Sequence, residues 1–350
     1  MSSSPAAPLV LRFGAMGDMV ILTVLLRHLR ARYGAPCDLV SSGGWTRPLL
    51  NGQPDVGQIH LLKSRRRPYW SDPLQWSLVK TLRQRPPGPV YVCDIDAQDK
   101  LMFLLQRAGV RPEWCVTVEP VDYDPQLHWC EQWRRFADRT PAACAGLPAL
   151  PNERPTGVPQ LTVGEQARKD LCQWRESLGL SGPLWLLQPG SKRTLKRGRM
   201  AALTDHKWWP VERWVQVARW IVDHDPACQV LLCGVPNEQP LLLEIAQGCD
   251  NPRVHALGEQ LPMSRLLALA EVAAGMISID TGPAHAAVAM GCPAVVLFGD
   301  NPVQRWCPRG PEGTQVLPLG GREAGISRVE QIDVDSVLQA WQRLRPLPSG

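Results

Sequence analysis

Short apolar runs alternate with amphipathic stretches along most of the chain. PLVLRF (residues 8–13), CDLVSS (37–42) and VYVCDID (90–96) read as buried strands, each an unbroken or nearly unbroken apolar run. Between and after them, MVILTVLLRHLRARYG (19–34) and KLMFLLQRAG (100–109) carry the helical spacing, the first ending at Gly34. Residues 140–163 (TPAACAGLPALPNERPTGVPQLTV) break this rhythm with Pro, Ala and Gly, as a linker does. The alternation then restarts, with helices at 164–178, 210–224 and 238–247 around strands at 184–190 and 229–234. Ile277-Ser278-Ile279 opens the last pattern, followed by a small-residue helix and a second apolar run ending at Phe298-Gly299. An amphipathic helix over 334–345 closes the chain. Strand–helix alternation of this kind predicts an α/β fold with parallel sheets covered on both faces.

We therefore expect two doubly wound domains facing a cleft, with ligands beyond the carboxyl ends of the strands. Residues 1–160 form the N-terminal domain and 161–330 the C-terminal one. Residues 331–350 form a terminal helix and tail that could pack back on the N-terminal domain.

Composition narrows the class. The chain has 350 residues, 44% apolar and 20% charged, as a globular protein of two domains would. A net charge of +5 is too small to argue for a nucleic-acid protein. No stretch approaches the ~18 consecutive apolar residues of a spanning helix, and the N-terminus does not read as a signal peptide. Eleven scattered cysteines, without paired metal-ligand spacing, favour reduced thiols and a cytoplasmic setting and give no sign of a metal site. Fourteen Trp against four Tyr and four Phe have no explanation in the sequence itself.

Candidate chemistry gathers where strands turn into helices. Asp280-Thr281-Gly282-Pro283-Ala284-His285 joins a buried strand to an alanine-rich helix. Thr or Asp can cap, Gly admits a close ligand, and Pro suits a first turn that needs no N–H. Such a terminus either is simply capped or grips an anion such as a diphosphate. At RFGAMGDMV (12–20) the spacing is not a dinucleotide fingerprint. There Asp18 is either a first-turn acid or a carboxylate free to take a proton from a substrate hydroxyl. Ser191 and Lys192 follow a strand and could reach phosphate oxygens, and Lys207 precedes Trp208-Trp209-Pro210. Glu238 is placed for ribose hydroxyls, although any helix start welcomes a Glu. Lys63, Arg65, Arg66 and Arg67 stand in a loop beside Tyr69 and Trp70, as a solvated face or as a grip on a phosphorylated acceptor. Asp94-Ile95-Asp96 has the form of a D-x-D metal motif, but it closes a strand and no further ligand set accompanies it.

Taken together, GAMGDMV, YVCDIDAQ, QPGS, KWWPVERW and above all SIDTGPAHAAVAMGCPAVVLFG resemble glycosyltransferase family 9, the bacterial heptosyltransferases of lipopolysaccharide core synthesis. The resemblance runs over nearly the whole chain. It implies the GT-B fold of two Rossmann-like domains, donor bound by the C-terminal one and acceptor by the N-terminal one. It further implies inverting transfer of heptose from ADP-heptose to a hydroxyl of the growing core, with no metal or cofactor beyond the nucleotide sugar. By motif, Asp18 would be the general base and Lys207 would neutralise the diphosphate. Asp280, Thr281, Gly282 and Pro283 would cradle that diphosphate, Glu238 would hold the ribose, and His285 would steady the turn. Lys63 and Arg65–Arg67 would meet acceptor phosphates. The partners implied are the nucleotide sugar and a lipid A-linked acceptor, met by a monomer in peripheral contact with the inner membrane. One departure matters: sixteen residues separate Gly190 from Lys207, many of them basic, so Lys192 or Lys196 could serve in place of Lys207.

Two other readings stay open at this point. A GT-B enzyme could use another nucleotide sugar or acceptor, or run an epimerase reaction. A non-catalytic nucleotide-sugar-binding protein could keep the fold, although Asp18 and a Lys before Trp-Trp-Pro argue against it.

Overall fold

The alternation of apolar runs and helices resolves into two parallel sheets. The computed structural model describes residues 7–63, 69–119, 124–146, 154–191 and 205–344. The chain divides into two units, Met1–Pro159 and Gln160–Gly350, so the boundary falls inside the proline-rich segment.

The first unit runs β1 (Leu9–Leu11), α1 (Met16–Tyr33), β2 (Cys37–Ser41), α2 (Thr46–Leu50), β3 (Val56–Leu61), α3 (Pro73–Arg83), β4 (Val90–Val92), α4 (Gln98–Arg107), β5 (Cys115–Thr117) and α5 (Trp129–Asp138). Its sheet has the order β3-β2-β1-β4-β5, every pair parallel. Chain entry reverses between β1 and β4, which makes that edge the switch point. The strand predicted over 8–13 keeps only three ladder residues, although the Arg12 amide still bonds to the Val40 carbonyl (3.0 Å). Likewise the strand predicted over 90–96 stops at Val92, and Ile95–Ala97 becomes a 3₁₀ turn. Helix α1 starts at Met16, ahead of the Met19 expected from the apolar spacing, since Asp18 bonds back to the Ala15 amide (2.8 Å) and closes the first turn. It ends as expected at Gly34, whose φ of 74° suits the left-handed cap.

The second unit runs α6 (Glu165–Ser177), β6 (Leu184–Gln188), α7 (Val211–His224), β7 (Gln229–Leu232), α8 (Gln239–Cys249), β8 (Val254–Ala256), α9 (Met263–Val272), β9 (Gly275–Ile279), α10 (Gly282–Ala289), β10 (Ala294–Phe298), α11 (Val303–Trp306), β11 (Val316–Gly320) and α12 (Val334–Arg343). Its parallel sheet is ordered β8-β7-β6-β9-β10-β11, the doubly wound order, with the switch point between β6 and β9. Strand residues alternate between two cores. Leu187, Ile277, Ile279 and Val295 face Trp214, Val217 and Ile221 of α7, whereas Leu186, Met276 and Val296 face Leu269 of α9 and Ala284 and Val288 of α10. Helix α10 is apolar on every side because it is covered on every side, with Ala284 through Ala289 buried. Small residues there admit close backbone neighbours: a Cβ on Gly310 would overlap the Val288 carbonyl oxygen.

The terminal helix corrects one expectation. Residues 331–350 could have packed on the N-terminal domain; instead α12 buries Val337, Ala340 and Trp341 in the α7 core of the second unit. Trp341 meets Trp185 at 5.0 Å and Trp220 at 5.1 Å between ring centroids. The i, i+3, i+4 spacing of those three residues makes one stripe, and the gap beside α7 is where that stripe finds apolar surface. Much of the tryptophan excess fills this core, which holds Trp185, Trp209, Trp214 and Trp341, with Trp220 packed against it. All eleven cysteines are free thiols: eight are buried, Cys115 and Cys307 half-buried, and Cys172 exposed.

Replacing Trp341 by Ala is expected to destabilise the second unit by about 3–5 kcal/mol. Urea unfolding followed by tryptophan fluorescence measures this; a loss below about 1 kcal/mol would contradict the packing of α12 described above.

Candidate functional site

Each sheet brings its polar side chains to its switch point. In the second unit, β6 ends in Gln188-Pro189-Gly190-Ser191, and buried Gln188 bonds through Nε2 to the Gly190 carbonyl (3.1 Å). Glu238 comes across from the end of β7. Its Oε2 accepts from the Val235 amide (2.9 Å), and Gln188 adds a side-chain hydrogen bond. Gly190 and Gly234 are the reason this carboxylate fits: a Cβ on Gly190 would overlap Oε1, and one on Gly234 would stand 2.9 Å from Oε2. Burial pushes the Glu238 carboxyl above its ordinary value, and its two hydrogen bonds work against that rise. Ser191 is half-buried at the end of this strand. Lys192 and Lys196 lie outside the described residues.

Beside β6, strand β9 delivers Asp280, which is buried and holds three polar neighbours. Lys207 Nζ donates to its carbonyl oxygen (2.7 Å) and to its Oδ2 (2.8 Å). Asn301 Nδ2 donates to the same Oδ2 (2.5 Å), and His285 Nε2 stands 3.8 Å from Oδ1. Burial alone would raise the Asp280 carboxyl; His285 and Lys207 more than offset it and hold the group well below the usual carboxylate range. Thr281 takes the N-cap position of α10, but its Oγ1 lies 3.2 Å from Ser278 Oγ and makes no bond to the helix's first turn. Gly282 and Pro283 open that turn half-exposed, next to the Lys207 ammonium. Lys207 has three N–H donors and spends two on Asp280, so one direction is left for an oxyanion. A helix N-terminus, a positive dipole end and an ammonium thus share one corner.

The switch point of the first unit has a parallel design. Arg12 Nη1 donates to the Cys93 carbonyl (2.8 Å) and Nη2 to Asp18 Oδ1 (3.1 Å). Its guanidinium lies over the rings of Trp129 and Trp133, 5.9 and 5.5 Å from their centroids. Asp18 is therefore gripped on both oxygens, by Arg12 and by the Ala15 amide, yet stays partly open to solvent. Gly14 makes room for it, since a Cβ there would stand 2.5 Å from the Asp18 Cβ. Asp94, the first acid of the D-x-D stretch, is buried and accepts from the Phe13 amide (3.1 Å); it pins the turn before α1, while Asp96 is exposed. Among the described residues no group of three or more His, Cys, Asp or Glu side chains could hold a metal ion. Lys63 is exposed just beyond β3, and Arg65, Arg66 and Arg67 lie outside the described residues.

The structure thus brings Lys207, Asp280, Thr281, Gly282, Pro283 and His285 to one corner, with Ser191 and Glu238 in the turns that follow β6 and β7 of the same sheet. Asp18 and Lys63 belong to the other unit. Two participants escaped the sequence reading. Asn301 follows β10 in Gly299-Asp300-Asn301-Pro302, a turn signal that could have been read as a strand end beside β9. Arg12 was hidden inside an apparent strand.

Comparison with known proteins settles the lineage. The profile of glycosyltransferase family 9 (heptosyltransferase) matches residues 139–331, more than half of the chain. The chain belongs to glycosyltransferase family 9. As a family 9 protein it is a glycosyltransferase, as its motifs suggested. It is 23% identical to lipopolysaccharide heptosyltransferase 2 of Escherichia coli K12 over 82% of this chain and 80% of that one. A shorter match to lipopolysaccharide heptosyltransferase 3 of Escherichia coli, 37% identical, spans 24% of this chain and only 26% of that protein. The solved structure of E. coli ADP-heptose lps heptosyltransferase II superimposes with a TM-score of 0.71 at 20% identity, covering 97% of this chain and 98% of that one. The two doubly wound units of this family 9 chain therefore form a GT-B fold.

Asp280→Asn tests the buried cluster. Because the folded-state carboxyl is held below its unfolded value, its stabilising contribution is present in full above about pH 4 and is lost as pH falls through the depressed folded value. Wild type should exceed the variant by about 3 kcal/mol from pH 5 to 8, with the gap narrowing only below about pH 4. Chemical denaturation across that range reads it, and a gap that instead opened on acidification would contradict the assignment.

Proposed function

We propose that this protein is an inverting heptosyltransferase that moves heptose from ADP-heptose to a hydroxyl of the lipopolysaccharide inner core. The observation that carries the reading is the Lys207–α10 corner at the second switch point, where an ammonium stands beside a helix N-terminus as an anion such as a diphosphate requires. The names of its relatives, which are lipopolysaccharide heptosyltransferases, support the donor and acceptor classes.

In this mechanism the second unit binds the nucleotide sugar and the first binds the acceptor. Asp18, aimed by Arg12 and the Ala15 amide, accepts the proton of the attacking hydroxyl. The hydroxyl oxygen bonds to the anomeric carbon from the face opposite the diphosphate, and the bond to the diphosphate oxygen breaks. Configuration inverts in that single displacement, and ADP leaves with the electron pair. Lys207 and the first-turn amides of α10 meet the charge that develops on it, a role that calls for no metal. Thr281, Gly282 and Pro283 shape the backbone around the diphosphate, while Asp280, His285 and Asn301 hold Lys207 in place. Ser191 and Lys192 are assigned to phosphate oxygens. Glu238 is assigned to the ribose through Oε1, the oxygen turned toward Gly190. Lys63 and Arg65–Arg67 are assigned to acceptor phosphates. The setting proposed is the cytoplasm, at the inner face of the inner membrane. Among the described residues no helix is long and apolar enough to cross a membrane.

The decisive assay is ADP release from ADP-heptose with and without heptose-deficient lipopolysaccharide. Acceptor-dependent release is expected for wild type, and Asp18→Asn should lower kcat by about 10²–10⁴ while ADP still stabilises the fold. Lys207→Ala should lower it by about 10² and weaken ADP binding as well. Absence of release with ADP binding intact would redirect the reading to another sugar or acceptor; failure of ADP to bind would overturn the donor class.

A further inference from the structure

The first unit holds a buried imidazole that the transfer reaction does not use. His28 lies on the buried face of α1, in the helix that packs against α5. Its Nδ1 stands 2.8 Å from the Val24 carbonyl. A carbonyl only accepts, so the proton sits on Nδ1 and Nε2 carries a lone pair. That Nε2 is buried without a hydrogen-bond partner. A second proton would give the ring both a charge and an N–H with nothing to receive it.

The charges acting on the ring do not invite that proton. They are Arg27 beside it on α1, and Arg134 and Asp138 on α5, two cations against one acid. Asp138 already pairs with Arg154 (2.9 Å), Arg134 with Glu131 (3.0 Å) and Arg27 with Asp55 (3.4 Å). Burial holds the imidazole below its ordinary value, and Arg27 and Arg134 add to this, against the Val24 hydrogen bond and Asp138.

Helix α5 connects this ring to the candidate base. At its C-terminal end, Arg32 of α1 donates to the Ala137 and Arg139 carbonyls (3.0 and 2.9 Å). Nearer its start it carries Trp129 and Trp133, the two rings beneath the Arg12 guanidinium. Arg12 in turn donates to Asp18. The helix is ten residues long, about three turns, so a shift at the His28 end reaches the tryptophans.

We propose that α5 is an acid-released brace, which keeps Trp129 and Trp133 under Arg12, and so keeps Asp18 in aim, only while His28 is neutral. The two tryptophans are then positioning residues for the base. This link to catalysis rests on the reading of Asp18 as general base; the release of α5 does not. With the helix released, His28 regains an ordinary imidazole value of about 6.5. Above that pH neither form takes the proton, and the brace has its full strength. As pH falls below it, the released form is protonated first, and the brace weakens until the lower folded value is reached.

Hydrogen–deuterium exchange of the full chain from pH 8 to 5, corrected for the intrinsic rate, reads the release on peptides covering residues 129–138. In wild type, protection there should fall by up to about tenfold per pH unit below about pH 6.5. His28→Phe keeps a ring that cannot titrate, and His28→Asn keeps an N–H for the Val24 carbonyl; both should stay flat. His128 caps α5 through Nδ1, which accepts from the Cys130 amide (3.0 Å). His128→Asn retains a cap acceptor and should leave the wild-type slope in place. In the ADP-release assay, wild type and His28→Phe should agree at pH 8. At pH 5.5 the variant should exceed wild type in kcat by about threefold or more, with KM unchanged. A slope that survives both His28 variants, or one that vanishes in His128→Asn alone, would overturn the proposal. Equal kcat at pH 5.5 would overturn it too, by cutting α5 from Asp18. A full slope in a chain that transfers nothing would uphold the brace and overturn instead the role given to Asp18.

Discussion

A carboxylate taken out of water must be matched charge for charge, and Asp280 is the place where this fold meets that demand. Its pairing with Lys207 is what joins the loop before α7 to the β9–α10 turn. The loop is braced in turn from the C-terminal segment. Val329 donates its amide to the His206 carbonyl (2.8 Å), and the fully buried Trp209 donates to the Ile332 carbonyl (2.9 Å). Gly299 completes the joint, because a Cβ there would overlap the His206 carbonyl oxygen. Removing one partner would strand the other charge in a low-dielectric corner, so the pair fixes position even if its net contribution to stability is modest. The position of the ammonium over the helix terminus follows from these contacts.

The first unit solves a related problem with different residues. There the cation is Arg12 and the carboxylate Asp18, and again a main-chain carbonyl at a neighbouring strand end, Cys93, takes part of the cation's hydrogen-bonding capacity. Both cations are thereby held by backbone as well as by an acid. The backbone contact sets where the charge sits; the acid sets its orientation. Trp129 and Trp133 add a hydrophobic seat for the guanidinium, which a lysine could not use as well because it lacks the planar face.

Much of this was legible in the sequence. Parallel strands buried on both faces leave long apolar runs, so β6, β9 and β10 were visible, and the Asp280–Pro283 turn announced itself by residue type. Three other strands were not. β5 and β8 are three residues long and, unlike the equally short β1 and β4, mix polar with apolar residues, and β3 mixes exposed and buried positions along a sheet edge. The terminal helix was seen but its placement was not, because amphipathicity gives a helix an apolar face without saying which core receives it. Asn301 and Arg12 were missed for a similar reason. Each acts through a neighbour brought close only by sheet order, and strand pairing between β1 and β4 or β9 and β10 is not written in local pattern.

The burial of the thiols has a practical side. Cys115 and Cys307 are pushed up to about 11 by desolvation, so neither ionises appreciably near neutrality. Cys233 is fully enclosed and pushed up to about 12 for the same reason. Cys172, on the outer side of α6, is the one exposed sulfur of the eleven. A maleimide offered at neutral pH therefore meets a chain that behaves as though it had been engineered to a single cysteine. A fluorophore or spin label can be seated on the second unit without altering the sequence.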